Sequence, residues 1–101
     1  MVSRLKQTLR IAALEDLLHH HLGLSIGTAR HLARIAWESA RGQQLDLRGP
    51  TLEQLQESFF LIMFYNGYSD LLDRVAIESP AFTVALTRFV ASDALEDQRA
   101  A

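Results

Sequence analysis

Thr51–Val75, TLEQLQESFFLIMFYNGYSDLLDRV, holds five of the eight aromatic residues of a 101-residue chain and its densest apolar run. Phe59 to Tyr65 is apolar without a break, seven residues in all, against the about 20 that a bilayer span requires. The stretch therefore reads as a helix wrapped by protein, at the centre of the core, and not as a membrane segment. Its start is written in side chains. Thr51 follows Pro50 as an N-cap, Gln54 stands three residues on as in a capping box, and Glu53 lies in the electropositive first turn. Gly67 offers a stop or a kink.

Outward from this centre the chain reads as further helices. Upstream, Ser3 to Leu22 carries Leu5, Leu9, Ala12, Ala13, Leu17 and His21 on one face, widened by Ile11, Leu14, Leu18 and Leu22. Gly23 marks its end, and Ser25 or Thr28 caps a second helix running to about Ala40. Along that helix Ala29, Leu32, Ala33, Ala36, Trp37 and Ala40 line one side, with Arg30, Arg34, Glu38 and Arg41 on the other. Gly42 ends it. In the connection to Pro50, Leu45 and Leu47 alternate like a short extended segment. Downstream, Ser69-Asp70 caps a fourth helix to Glu78, separate from the third. Ser79-Pro80 opens a fifth, with proline in the first position where its missing N–H does no harm. Phe82, Ala85, Leu86, Phe89 and Val90 keep helical spacing to about Leu95, after which the last residues are expected to fray.

The fold class expected is thus all-α, about five helices in a compact bundle, with residues 1–101 as one domain. A composition of 49% hydrophobic residues with two prolines and five glycines belongs to a folded chain. So much apolar material in so small a chain favours self-association, because surface that one copy cannot enclose is buried between copies. The expected partner is therefore the chain itself, as a dimer or larger; the upper bound of a hexamer and a small-molecule ligand come only with the family resemblance of the central stretch. With no cysteine, disulfides, thiol nucleophiles and thiolate metal ligands are excluded. The amino-terminal stretch lacks a signal-peptide h-region, since Glu15 and Asp16 interrupt it, so a cytoplasmic location is expected. Net charge is −2, split as +3 over residues 1–50 and −5 over residues 51–101. A mild basic face of that kind suits an anion or nucleic acid, although dedicated DNA-binding domains are usually far more basic.

Three groups of residues invite chemistry. His19, His20 and His21 are adjacent, and successive helical residues point about 100° apart, so the three do not converge on one ion. No metal site is expected, and two exposed histidines with one half-buried describe the triplet. No glycine-rich phosphate loop occurs and no cofactor is implied. Ser39, Ser58 and Ser69 have no evident histidine and acid partners for nucleophilic catalysis.

The second group, LEDLLHHHLGLSIGTARHLARIA over residues 14–36, resembles the bacterial helix-turn-helix motif. Leu18, Leu22, Gly23, Leu24 and Ser25 form the turn region, and Ala29 and Leu32 lie on the following helix. The resemblance implies a DNA-binding transcriptional regulator in which Thr28, Arg30, His31 and Arg34 face the groove. One position departs from the pattern: four residues before Gly23, where the helices touch and a small residue is usual, stands His19.

The third group is the central stretch. Thr51, Glu53, Glu57, Tyr65, Gly67 and Tyr68 match a pattern of the carboxymuconolactone decarboxylase and alkyl hydroperoxidase D family. In that family a Thr-x-Glu-Glu-Ile-x-Glu helix start is followed, after an apolar run, by a Tyr-x-Gly-aromatic-Pro turn. Gln54 and Ser69 stand where the family has an acid and proline. The resemblance implies an all-helical subunit assembling as a trimer or hexamer, with a pocket lined by Trp37, Glu57, Phe60, Phe64, Tyr65 and Tyr68. The thiol peroxidase activity of the family is excluded by the absence of cysteine. Lyase-like acid/base chemistry on a small organic acid or lactone stays open, with Glu57 as the catalytic proton carrier and Arg41 as anion anchor. So does a non-catalytic binding or assembly subunit.

Overall fold

The computed structural model describes the backbone of residues 4–42, 49–65, 72 and 74–100, and the side chains of residues 7–42, 49–64, 72 and 74–92. Among the described residues five helices follow in chain order: α1 (Arg4–Leu22), α2 (Ile26–Arg41), α3 (Leu52–Tyr65), α4 (Arg74–Glu78) and α5 (Pro80–Ala100). No strand occurs among the described residues. The most extensive helix contact is α1 against α2, followed by α2 against α3, and α5 packs on α1, α3 and α4. One buried cluster draws on all five helices, from Leu14 and Leu18 through Trp37 and Phe59 to Ile77, Phe82 and Leu86. The Cα radius of gyration, 13.0 Å, equals the about 13 Å expected of a folded chain near 100 residues.

Local hydrogen bonds explain where three helices begin. Ser25 has extended backbone angles and its hydroxyl accepts from the Thr28 N–H, which makes it the N-cap of α2. At α3 the capping box is complete: the Gln54 N–H donates to Thr51 Oγ1 at 3.2 Å, and the Thr51 N–H donates to Gln54 Oε1 at 2.8 Å. At α5 the Phe82 N–H donates to Ser79 Oγ at 3.2 Å, with Pro80 as first helical residue. Replacing Thr51 by Ala removes one half of the reciprocal pair. The expected loss is about 1 kcal/mol of unfolding free energy, read as a lowered urea midpoint at unchanged slope.

The inward face of α2 is the expected one. Ala29, Leu32, Ala33, Ala36, Trp37 and Ala40 are all buried, and the four alanines among them let the α2 backbone come close to its neighbours. Ser58 exploits that closeness. Its buried hydroxyl lies 3.2 Å from the Ala36 carbonyl of α2 and 3.0 Å from the Leu55 carbonyl of its own helix, so a polar group in the α2–α3 seam is satisfied.

The rotation of α1 is different from the sequence expectation. Leu9, Ala12, Ala13 and His21 are exposed, and the buried positions are Arg10, Leu14 and Leu18, backed by half-buried Ile11 and Leu22. Apolar residues occupy most sides of this helix, so their spacing fixes its axis but not its rotation. Contact with α2 selects the row 10, 14, 18, one full turn apart. Two boundaries differ as well. The helix α5 continues to Ala100 instead of ending near Leu95, as the strong helix formers Ala94, Leu95, Glu96, Gln98 and Arg99 favour. The helix α4 is described from Arg74, held at its surface by Arg74 Nε donating to Glu78 Oε1 at 3.2 Å. The cap expected at Ser69-Asp70, the stop at Gly67 and the extended segment at Leu45 and Leu47 lie outside the described residues.

Candidate functional site

The α1–α2 junction has three residues, Gly23, Leu24 and Ser25. Gly23 has φ 67°, a left-handed conformation that glycine adopts without steric cost. A Cβ there would meet no atom within 4 Å, so the requirement for glycine lies in the backbone angle and not in space. Leu24 then turns inward at 7% exposure to join Leu14, Leu18, Ala29 and Leu32 in the core. His19 is half-buried and its Nδ1–H donates to the Leu24 carbonyl at 2.6 Å. The bulky residue at the close-contact position thus turns its ring toward the junction and satisfies a carbonyl there. His20 and His21 are exposed, and His20 Nε2 lies 3.3 Å from Asp16 Oδ1 one turn earlier. Among the described residues no group of three or more His, Asp or Glu is placed to hold a metal ion.

Following that junction, the candidate DNA-contacting residues share the outward side of α2. Arg30, His31 and Arg34 are exposed and Thr28 is half-exposed. Thr28 Oγ1 accepts from the Ser25 hydroxyl at 2.9 Å. Arg30 is tied back to α1, its Nε 3.5 Å from Glu15 Oε2, an interaction worth little at a solvated surface.

The residues expected around a decarboxylase-like pocket fall on different sides of the α2–α3 pair. Trp37 is 1% exposed and meets Phe89 edge to face, with ring centroids 6.2 Å apart. Its Nε1 is buried with no hydrogen-bond partner among the described residues. Arg41 and Phe60 are half-buried, while Glu57 and Phe64 are exposed. Tyr65 closes α3, its side chain is outside the described set, and so is Tyr68. The structure therefore sets Trp37 in the core and Glu57 in solvent. Neither described cavity is lined by Trp37, Arg41, Glu57, Phe60 or Phe64.

The larger described cavity lies elsewhere, between α1 and α5, with a volume of about 610 Å³. Ala13 and Leu17 of α1 and Ala81, Val84 and Ala85 of α5 line it, with Asp16, His20, His21 and Arg88 as its polar groups. A smaller one of about 170 Å³ sits at the α1–α2 junction against Glu15, His19 and Ile26. Sequence reasoning passed over the first because its two walls come from opposite ends of the chain, α1 and α5, and no local pattern marks them as neighbours.

The class the fold defines is an all-α protein with five helices among the described residues, none of them long and apolar enough to cross a membrane. Comparison with family models, with curated proteins and with solved structures finds no match to this chain.

Proposed function

We propose that this chain is a non-catalytic, self-associating helical subunit, similar in plan to the assembling subunits of the carboxymuconolactone decarboxylase-like family. The observation that carries it is the outer face of α3. Leu55, Phe59, Ile62 and Met63 bury one side of this helix, yet Leu61 at 41% and Phe64 at 63% exposure stand on the other beside half-buried Phe60. A contiguous apolar stripe of this kind, on the most apolar helix of the chain, is surface that a second copy covers. Catalysis takes second place because Glu57, the acid of the resemblance, is exposed. A solvated carboxylate on a helix lacks the desolvated surroundings that equip such a group for proton transfer. Light scattering at micromolar concentration is expected to return the mass of a dimer or larger; the mass of a monomer there would remove the proposal.

A second reading, DNA binding through the α1–α2 unit, is favoured by one specific feature. Leu18, Leu24, Ala29 and Leu32 are buried around a left-handed Gly23, which is the packing the helix-turn-helix resemblance calls for, while Arg30, His31 and Arg34 stay outside. In that case mixed-sequence duplex DNA binds at low salt and weakens steeply as salt rises. Replacing both Arg30 and Arg34 by Ala is then expected to lower the salt slope by about 2. No binding at low salt would end this reading without touching the first.

A further inference from the structure

The α1–α5 groove has no role in self-association through α3 or in the DNA reading, and its chemistry is specific. Its volume, about 610 Å³, falls inside the range of about 300–1,000 Å³ typical of small-molecule sites. The walls are short aliphatic side chains: Ala13 and Leu17 on one side, Val84 and Ala85 on the other. Side chains this short leave the space between the two helices unfilled, and Val84 is 49% exposed. That surface offers an apolar body contact and no hydrogen bond.

The polar groups are unequal in their commitments. Asp16 is engaged by His20 at 3.3 Å. Arg88 and His21, both exposed, make no hydrogen bond or ion pair among the described residues. Asp16 thus has a partner within its own helix, whereas the Arg88 guanidinium is the charged group of the groove left to meet a ligand. Arginine presents a planar fork of N–H donors that matches a carboxylate in two parallel hydrogen bonds. We propose that the α1–α5 groove binds a small amphipathic carboxylate, with its hydrocarbon body along Ala13, Leu17, Val84 and Ala85 and its carboxylate on Arg88, assisted by His21. Each half of that ligand answers one half of the groove. The apolar part gains by leaving water, and the anionic part pairs with the guanidinium of Arg88. A neutral or cationic amphiphile of the same length satisfies only the first.

Amide NMR of the whole chain, titrated with sodium decanoate below its micelle concentration, tests this directly, with decanol as the uncharged control. Saturable shifts are expected at Ala13, Leu17, Val84 and Ala85, with decanol binding at least about tenfold more weakly, the factor that loss of one charge-assisted contact gives. Arg88→Gln is expected to weaken decanoate by a similar factor and to leave decanol unchanged. Because Arg88 and Ala81 are exposed, neither Arg88→Gln nor the groove-filling Ala81→Trp threatens the fold, and Ala81→Trp is expected to abolish both ligands' shifts. Four results each overturn the proposal: no saturable shifts, shifts confined to Leu61 and Phe64, equal affinity for decanoate and decanol, or an Arg88→Gln variant that binds decanoate as the wild type does. Shifts at the groove that follow protein concentration without any ligand would overturn it too, by assigning the groove to a second copy. The mass measured by light scattering is independent of all of these, so self-association and ligand binding stand or fall separately.

Discussion

Phe59→Ala is expected to cost about 3–5 kcal/mol of stability, enough to unfold much of a chain of this size at room temperature. Phe59 is fully buried at the middle of α3 and meets Phe82 of α5 edge to face, with ring centroids 5.7 Å apart. Around it Leu55 and Ile62 on its own helix and Ala36 on α2 are also buried. Truncation leaves a cavity the size of a ring in a core already packed by residues of α2, α3 and α5, so relaxation fills little of it. The edge-to-face pair adds a further contribution of about 0.5–1.5 kcal/mol that a hydrocarbon contact lacks. Urea unfolding followed by circular dichroism measures the loss. Phe59→Leu is the conservative companion, expected to cost well under half as much because it keeps most of the volume. Equal midpoints for wild type and Phe59→Ala would mean that α3 is not the centre of the core.

That α3 is a helix with a buried apolar side was legible in the sequence because its information is local; that α2, and not α3, makes the most extensive contacts with its neighbours was not. The Thr51–Gln54 capping box, the Ser79 cap before Pro80 and the Ser25 cap are each decided by residues within three positions of one another. The buried face of α2 was legible for a related reason: Arg30, Arg34 and Glu38 occupy the outward side and leave one choice for the inward side. On α1 no such contrast exists. Leucines and alanines surround the helix, and burial of Arg10 beside Leu14 and Leu18, with Leu9 left 61% exposed, reflects the neighbours that α1 meets. Only the tertiary contact carries that information.

The candidate sites divide along the same line. The α1–α2 junction was readable because glycine at a left-handed position, flanked by leucines and a serine cap, is a short-range pattern. How His19 fits there was not, since its bond to the Leu24 carbonyl depends on the path of the turn. Glu57 was placed beside a pocket by the family resemblance together with its spacing from Phe60 and Phe64, and neither says which side of α3 the core covers. The groove between α1 and α5 had no signature at all, because Arg88 and Asp16 acquire joint meaning only when the fifth helix lies along the first.

The other large effect concerns the outward side of α3. Replacing both Leu61 and Phe64 by Lys is expected to turn the assembled form into a monomer at micromolar concentration, while leaving the helix content and urea midpoint of the folded chain nearly unchanged. Both residues are exposed, at 41% and 63%, so neither substitution opens a cavity in the subunit, and surface changes away from the core typically move stability by no more than about 0.5 kcal/mol. At an interface the same positions count differently. A buried aromatic anchor commonly contributes 2 kcal/mol or more to association, on the order of 30-fold in affinity, and an isologous interface presents each residue twice. Two lysines in each copy add like-charge repulsion and the cost of desolvating ammonium groups, so a weakening of at least about 100-fold is expected. Val75→Lys is the matched control: Val75 is 75% exposed on α4, outside the α3 stripe, and its replacement is expected to leave the mass unchanged. Sedimentation velocity on the three proteins decides between the outcomes. If the Leu61 and Phe64 variant keeps the wild-type mass, the assembly uses another face, and the exposed apolar stripe of α3 loses its place as the interface.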